Sequence, residues 1–196
     1  RGSAVAIKAD VSTVAGGQHL INETLKAFRG IDILVLNAGI MGSKVLAEVD
    51  EAFYDAHFAT NVKGPLFLAK AAVPHLPAPG GRIVFFSSSL SGATTVPANA
   101  LVYAASKSAV EQISRILAKD PAIGGKGITV NIISPGPVDT PLFRQGKPQP
   151  LIETISKFAP SGRLGEVDDI APVVSFVACP AAQWYHIMVF RVISYL

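Results

Sequence analysis

The 196-residue chain is short of sulfur and of charge, and each shortage excludes something. Its one cysteine, Cys179, cannot form an internal disulfide, and its place in an apolar run reads as a small buried hydrophobe in a reducing compartment. Charged residues make up 16% of the chain and the net charge is only +3. The cations are scattered rather than clustered, which argues against nucleic acid or acidic lipid as a partner. The N-terminal stretch RGSAVAIKADVS has none of the basic start, apolar centre and small-residue cleavage site of a signal peptide, and it has no initiating Met. The longest mostly apolar stretch, residues 170–190, would reach across a bilayer, but Pro172, Pro180, Gln183 and His186 interrupt it. A buried helix, a turn and a terminal strand are expected there instead. His19, His57, His75 and His186 lack metal-ligand spacing, so no metal site is expected. SSSLSG at 87–92 lacks the G-x-S-x-G pattern of a serine-hydrolase elbow. Together these absences predict a cytoplasmic protein without a metal, a membrane span or a nucleic-acid partner.

What remains is apolar. Hydrophobic residues reach 49% and the mean hydropathy is +0.41, the composition of one core-rich domain spanning residues 1–196. Short β-branched runs, AVAIKA near 4–9, IDILVLNA at 31–38, GRIVFFS at 81–87 and GITVNIIS at 127–134, read as strands covered on both faces. Between them lie stretches with helical spacing. Residues 12–28 have Ser12 as an N-cap candidate, residues 48–73 carry Phe53, Phe58, Val62 and Leu66, and residues 100–119 and 167–178 complete the set. Alternation of this kind predicts a parallel sheet with helices on both faces, an α/β domain. The Pro/Gly-rich segment 135–150 reads as a long loop at a strand's carboxyl end, the natural wall of a ligand site.

Within this frame Tyr103 and Lys107 stand four residues apart on one helix face, close enough for an ammonium to act on a phenol. A free phenol titrates near pH ~10, too high for acid–base work at neutrality, and a neighbouring cation would lower that value. NAG at 37–39, NVKG at 61–64, SSSLSG at 87–92, YAASK at 103–107 and PGPVDT at 135–140 occur in an order and spacing that resemble the short-chain dehydrogenase/reductase family, nearest to its naphthol-reductase-like and oxoacyl-carrier-protein-reductase-like branch. The resemblance implies a doubly wound Rossmann-type sheet and hydride transfer between a nicotinamide cofactor, NADP or NAD, and a small-molecule carbonyl or alcohol. It implies Tyr103 as proton donor and acceptor, Lys107 as the group that lowers its pKa and holds the nicotinamide ribose, and Asn61 as holder of a relay water. The substrate-orienting serine is Ser88 when counted from GRIV and Ser89 when counted from SLSG and back from Tyr103. The spacing to Tyr103 favours Ser89. Asp10 and Val11 match the pair that contacts adenine, Asn37, Ala38 and Gly39 the segment on the adenosine side, and Pro135, Gly136, Val138 and Thr140 the turn that receives the carboxamide. A homotetramer or dimer is the assembly implied, through the helices near 48–73 and 100–119.

The resemblance has gaps. The glycine-rich turn that would cradle the pyrophosphate is not found, since AGG at 15–17 lies between the wrong elements. The run at 4–9 resembles the family's third strand, so the first two strands are expected to be missing, leaving that run unpartnered and the strand at 31–37 with a bare edge. After PAAQW the tail YHIMVFRVISYL departs from the family's closing DGG or NGG strand. A truncated or mis-spliced gene model would account for both ends. A catalytically silent fragment with an interaction role is therefore the alternative to an active oxidoreductase.

Overall fold

In the computed structural model, which describes residues 2–192, three of the expected apolar runs form parallel strands. They are β1 (Ile33–Leu36), β2 (Arg82–Phe86) and β3 (Thr129–Pro135), and β4 (Val189–Val192) joins them late in the chain. The sheet order is β1-β2-β3-β4, with Ile33 beside Arg82, Arg82 beside Thr129 and Ser134 beside Arg191. Parallel neighbours need crossover connections, and helices supply them.

Alternating side chains sort to two layers. Ile83 and Phe85 of β2, with Val130 and Ile132 of β3, pack with Ile21 of α1 (Val14–Phe28), Leu68 and Ala72 of α3 (Gly64–Ala72) and Val110 of α4 (Leu101–Leu117). On the other face Val84 and Ile133 pack with Ile170 and Val177 of α7 (Val167–Ala178). The expected doubly wound α/β architecture is present. Among the described residues no helix is long and apolar enough to cross a membrane, and residues 170–190 form the helix, turn and start of a strand expected of them. The end of that tail, 193–196, lies outside the described residues.

Several boundaries differ from expectation for identifiable reasons. The run 4–9 forms no ladder, because no described strand lies beside it to take its backbone groups. β1 is thus the expected bare edge, but it is not covered on both faces: Ile33 is 45% and Val35 42% exposed, while Leu36 is buried. Thr13, not Ser12, caps α1: its hydroxyl accepts from Gly16 N, whereas Ser12 donates to the Asp10 carboxylate. The stretch 48–73 is not one helix. It divides into α2 (Glu51–Phe58), a π-helical turn (Ala59–Lys63) and α3. The segment 135–150 is not a bare loop either, since α5 (Pro141–Arg144) lies within it and α6 (Gln149–Phe158) begins at its end. Cys179 is half-buried rather than buried, because α7 ends there.

Candidate active site

The candidate site lies at the carboxyl ends of β1, β2 and β3, where open parallel sheets place ligands. β2 runs out into Ser87, and Ser89–Ser91 then form a single 3₁₀ turn capped by Ser88, whose hydroxyl accepts from Leu90 N at 3.3 Å. α4 starts at Leu101 and presents Tyr103, Ser106 and Lys107 to the interior. Lys107 is 5% exposed, and its ammonium donates to the Phe86 carbonyl at 2.9 Å. That bond ties the helix to the end of the central strand. Burial pulls the Lys107 pKa down to about 8.

Tyr103 behaves differently from expectation. Burial pushes its phenol pKa up, and the only opposing influence is a hydrogen bond with Ser88. The expected lowering by Lys107 is not seen: the ammonium is committed to the Phe86 carbonyl, and desolvation of the phenolate outweighs the rest. Of the two candidate serines, Ser88 meets the phenol. Ser89 is also buried, and among the described residues its hydroxyl has no hydrogen-bond partner while its carbonyl accepts from Gly92 N.

Asn61 sits in the π-helical turn, which inserts one extra residue per turn and so turns its side chain inward. Its amide nitrogen donates to Ile40 O and Ser106 Oγ, both at 3.0 Å, and its carbonyl oxygen accepts from Ile40 N at 2.9 Å. With every polar atom engaged, Asn61 is fixed. Between it and Lys107 lies Gly39, where a Cβ would fall 3.3 Å from both Asn61 Oδ1 and Lys107 Nζ. The glycine therefore leaves a gap flanked by an acceptor and a donor, and Asn37 and Ala38 beside it are exposed at the end of β1.

The remaining expected residues are spread around this centre. Asp10 accepts from the backbone and hydroxyl of Ser12, which holds its carboxyl below the usual range and shapes the turn into α1. Val11 packs on the core beside Gly64. Pro135 ends β3, Gly136 follows half-buried, and Val138 bridges to Gly165. The Thr140 hydroxyl is engaged as the N-cap of α5, accepting from Phe143 N at 3.2 Å. Three participants were not anticipated: the Phe86 carbonyl, Ser106 and Glu111. Glu111 follows Lys107 at i+4, a spacing that marks the same helix face as Tyr103 and Lys107. His57 is buried with its Nδ1 against Phe53 O, and no group of metal ligands occurs among the described residues.

A family model described as enoyl-(acyl carrier protein) reductase matches residues 1–191. The chain is 41% identical over 193 residues to a hydroxynaphthalene reductase-like protein, Arp2, of Metarhizium robertsii, covering 92% of this chain and 71% of that protein. It is 38% identical over 192 residues to a short-chain type dehydrogenase/reductase of Picea abies, covering 96% and 69%. The crystal structure of a blue fluorescent protein from a metagenomic library, in complex with NADPH, superposes with a TM-score of 0.89 at 32% identity, over 97% of this chain and 74% of that one. Sequence, fold and relatives agree, and the chain belongs to the short-chain dehydrogenase/reductase family of oxidoreductases.

Proposed function

We propose that the chain carries the catalytic centre of an NADP(H)-dependent carbonyl reductase or alcohol dehydrogenase in a single domain. The observation that carries this reading is the buried cluster of Tyr103, Lys107, Ser88, Ser89 and Asn61 around the gap at Gly39. The residues present fit the nicotinamide and ribose end of a dinucleotide, because that gap would be filled by any Cβ and is flanked by Lys107 and Asn61. They do not fit the pyrophosphate. Gly16 and Gly17 serve packing, a Cβ on Gly16 running into the Asp10 carbonyl and one on Gly17 touching Leu68. The complex of the metagenomic relative with NADPH supports the phosphorylated cofactor.

When bound, the reduced nicotinamide supplies a hydride to the substrate's carbonyl carbon. Ser88 steadies the phenol, Ser89, buried with its hydroxyl free of partners among the described residues, donates a hydrogen bond to the substrate oxygen, and Tyr103 transfers its phenolic proton there. The C=O π bond breaks, a C–H and an O–H bond form, and a phenolate remains on Tyr103. Lys107, mostly ammonium at neutral pH, grips the ribose, and it stabilises that phenolate once its ammonium leaves the Phe86 carbonyl. Asn61 holds the water through which the proton is restored. Asn37, Ala38, Asp10 and Val11 line the adenosine side, and Pro135, Gly136, Val138 and Thr140 the carboxamide side. The protein works in the cytoplasm as a homo-oligomer joined through α2, α3 and α4; Tyr54 on α2 and Leu101 and Ile116 on α4 are exposed.

The test is NADPH oxidation with a panel of carbonyl compounds, beginning with keto forms of hydroxynaphthalenes as the name of the Metarhizium relative directs. Turnover by the native chain that is lost in Tyr103→Phe supports the reading, and no turnover with any member defeats it. A second reading is favoured by one observation, the bare edge of β1 with Ile33 and Val35 exposed. It is a silent fragment that binds a partner through that edge, and it predicts no response to NADPH.

A further inference from the structure

Glu111 is the one carboxylate buried among the described residues, 3% exposed, and the chemistry above does not use it. A buried charge is costly unless it is both paired and hydrogen-bonded. Here one carboxylate oxygen, Oε1, accepts from Ser87 Oγ at 3.0 Å, from Ser134 Oγ at 3.1 Å and from Ser91 Oγ. The other, Oε2, accepts from Arg115 at 2.6 Å. The three serines come from three parts of the candidate site. Ser87 follows β2, Ser91 closes the turn that carries Ser89, and Ser134 precedes the Pro135–Gly136 turn.

Each hydroxyl has one proton and several acceptors within reach. Ser87 Oγ also lies 3.1 Å from Lys107 O and 3.2 Å from Ser91 Oγ, and Ser91 Oγ lies 2.7 Å from Ser88 O. A carboxylate is the strongest of these acceptors, so the protons point to it rather than to the carbonyls of Lys107 and Ser88. Burial pushes the Glu111 pKa up, but the bonds from Ser91, Ser87, Ser134 and Arg115 together hold it below the ordinary carboxyl value. The group therefore stays ionised at neutral pH and the arrangement holds.

We propose that Glu111 is a positioning residue: by gathering Ser87, Ser91 and Ser134 on one carboxylate oxygen it fixes the Ser88–Ser91 turn against Tyr103, so that the substrate-orienting hydroxyl is in place before substrate arrives. The proposal rests on the roles given above to Tyr103 and Ser89. Glutamine cannot gather the serine protons in the same way, because its amide must turn N–H groups either toward the Arg115 guanidinium, itself a donor, or toward the serine hydroxyls, which must then accept and send their protons to the Lys107 and Ser88 carbonyls.

The experiment is a double-mutant cycle on kcat for NADPH-dependent carbonyl reduction, with the native chain, Glu111→Gln, Ser89→Ala and the double variant. A misplacement near 1 Å predicts a loss of about 100-fold for Glu111→Gln in the native background, in kcat rather than in KM. In the Ser89→Ala background the same change should cost less than about 3-fold, since there is no hydroxyl left to misplace. Equal losses in the two backgrounds would overturn the proposal, because a general loosening of the fold would act in both. Should Glu111→Gln fail to fold, Ser91→Ala removes only the link between carboxylate and turn and must show the same dependence on Ser89. A native chain that folds but does not turn over defeats the catalytic reading first, and this proposal with it, before any variant is compared.

Discussion

Replacing Lys107 with methionine should make the protein more stable and abolish its chemistry. Lys107 is 5% exposed, and burial lowers its pKa from 10.5 to about 8. Each unit corresponds to about 1.4 kcal/mol, so holding the ammonium in the folded site costs about 3 kcal/mol at neutral pH. Between pH 8 and 10.5 the unfolded chain keeps a proton on Lys107 that the folded chain has shed, so stability rises with pH through that window. Below pH 8 both states are protonated and the full penalty stands. Methionine is unbranched, similar in length and uncharged, so it removes the penalty while filling the space. For a domain of this size about 3 kcal/mol corresponds to a Tm about 6 to 12 °C higher at pH 7, before the lost bond to Phe86 O reduces the gain. The assay is thermal unfolding of both proteins at pH 7 and pH 10. The native chain should close most of the gap at the higher pH, and a Lys107→Met protein less stable than native at pH 7 would refute the reasoning.

Other perturbations test neighbouring parts of the site. Gly39→Ala places a methyl 3.3 Å from two polar atoms, and because Asn61 is bonded at every polar atom the Lys107 ammonium must be the one to move; activity should fall about 100-fold while Tm drops by only a few degrees. Tyr103→Phe should remove turnover and leave NADPH binding within about 3-fold, as expected when only a proton donor is lost. Gly16→Ala, whose Cβ would overlap the Asp10 carbonyl, should destabilise the fold by more than about 1 kcal/mol, a loss visible in a denaturant midpoint. Carbonyl reduction should decline as pH rises through about 8, where Lys107 loses its proton, and a flat profile up to pH 10 would contradict its role.

Much of the fold was legible because period and composition agree with it. The runs at 31–38, 81–87 and 127–134 have the β-branched, two-sided apolar character of a parallel strand, and each became one, though only β2 and β3 are covered and β1 keeps Ile33 and Val35 exposed. The run at 4–9 has the same local character yet forms no ladder, since a strand is completed by its neighbours and none is described beside it. The division of 48–73 at Asn61 follows from tertiary bonds to Ile40 and Ser106, which no helical period reports. In the site, the Tyr103–Lys107 spacing was readable as an i, i+4 pair, but the sign of the Tyr103 pKa shift was not. That sign depends on burial and on where the Lys107 ammonium points. Ser88 and Ser89 are adjacent and chemically identical, so only the backbone of their turn separates the hydroxyl that meets Tyr103 from the one without a partner. Glu111 gave a signal, an acid one turn beyond Lys107, but its three serine donors lie 20 to 24 residues away along the chain and meet only in the fold.

Whether the catalytic centre receives the nicotinamide and ribose end of a dinucleotide is tested most directly by the unfolding temperature with and without NADPH. At about 100 times the dissociation constant a ligand that binds only the folded state adds about 2.7 kcal/mol. For a domain of this size that is a rise of about 5 to 11 °C. The account predicts such a rise, smaller in Gly39→Ala, where the gap beside Lys107 and Asn61 is filled. A cooperative unfolding transition that NADPH at millimolar concentration does not move would contradict it.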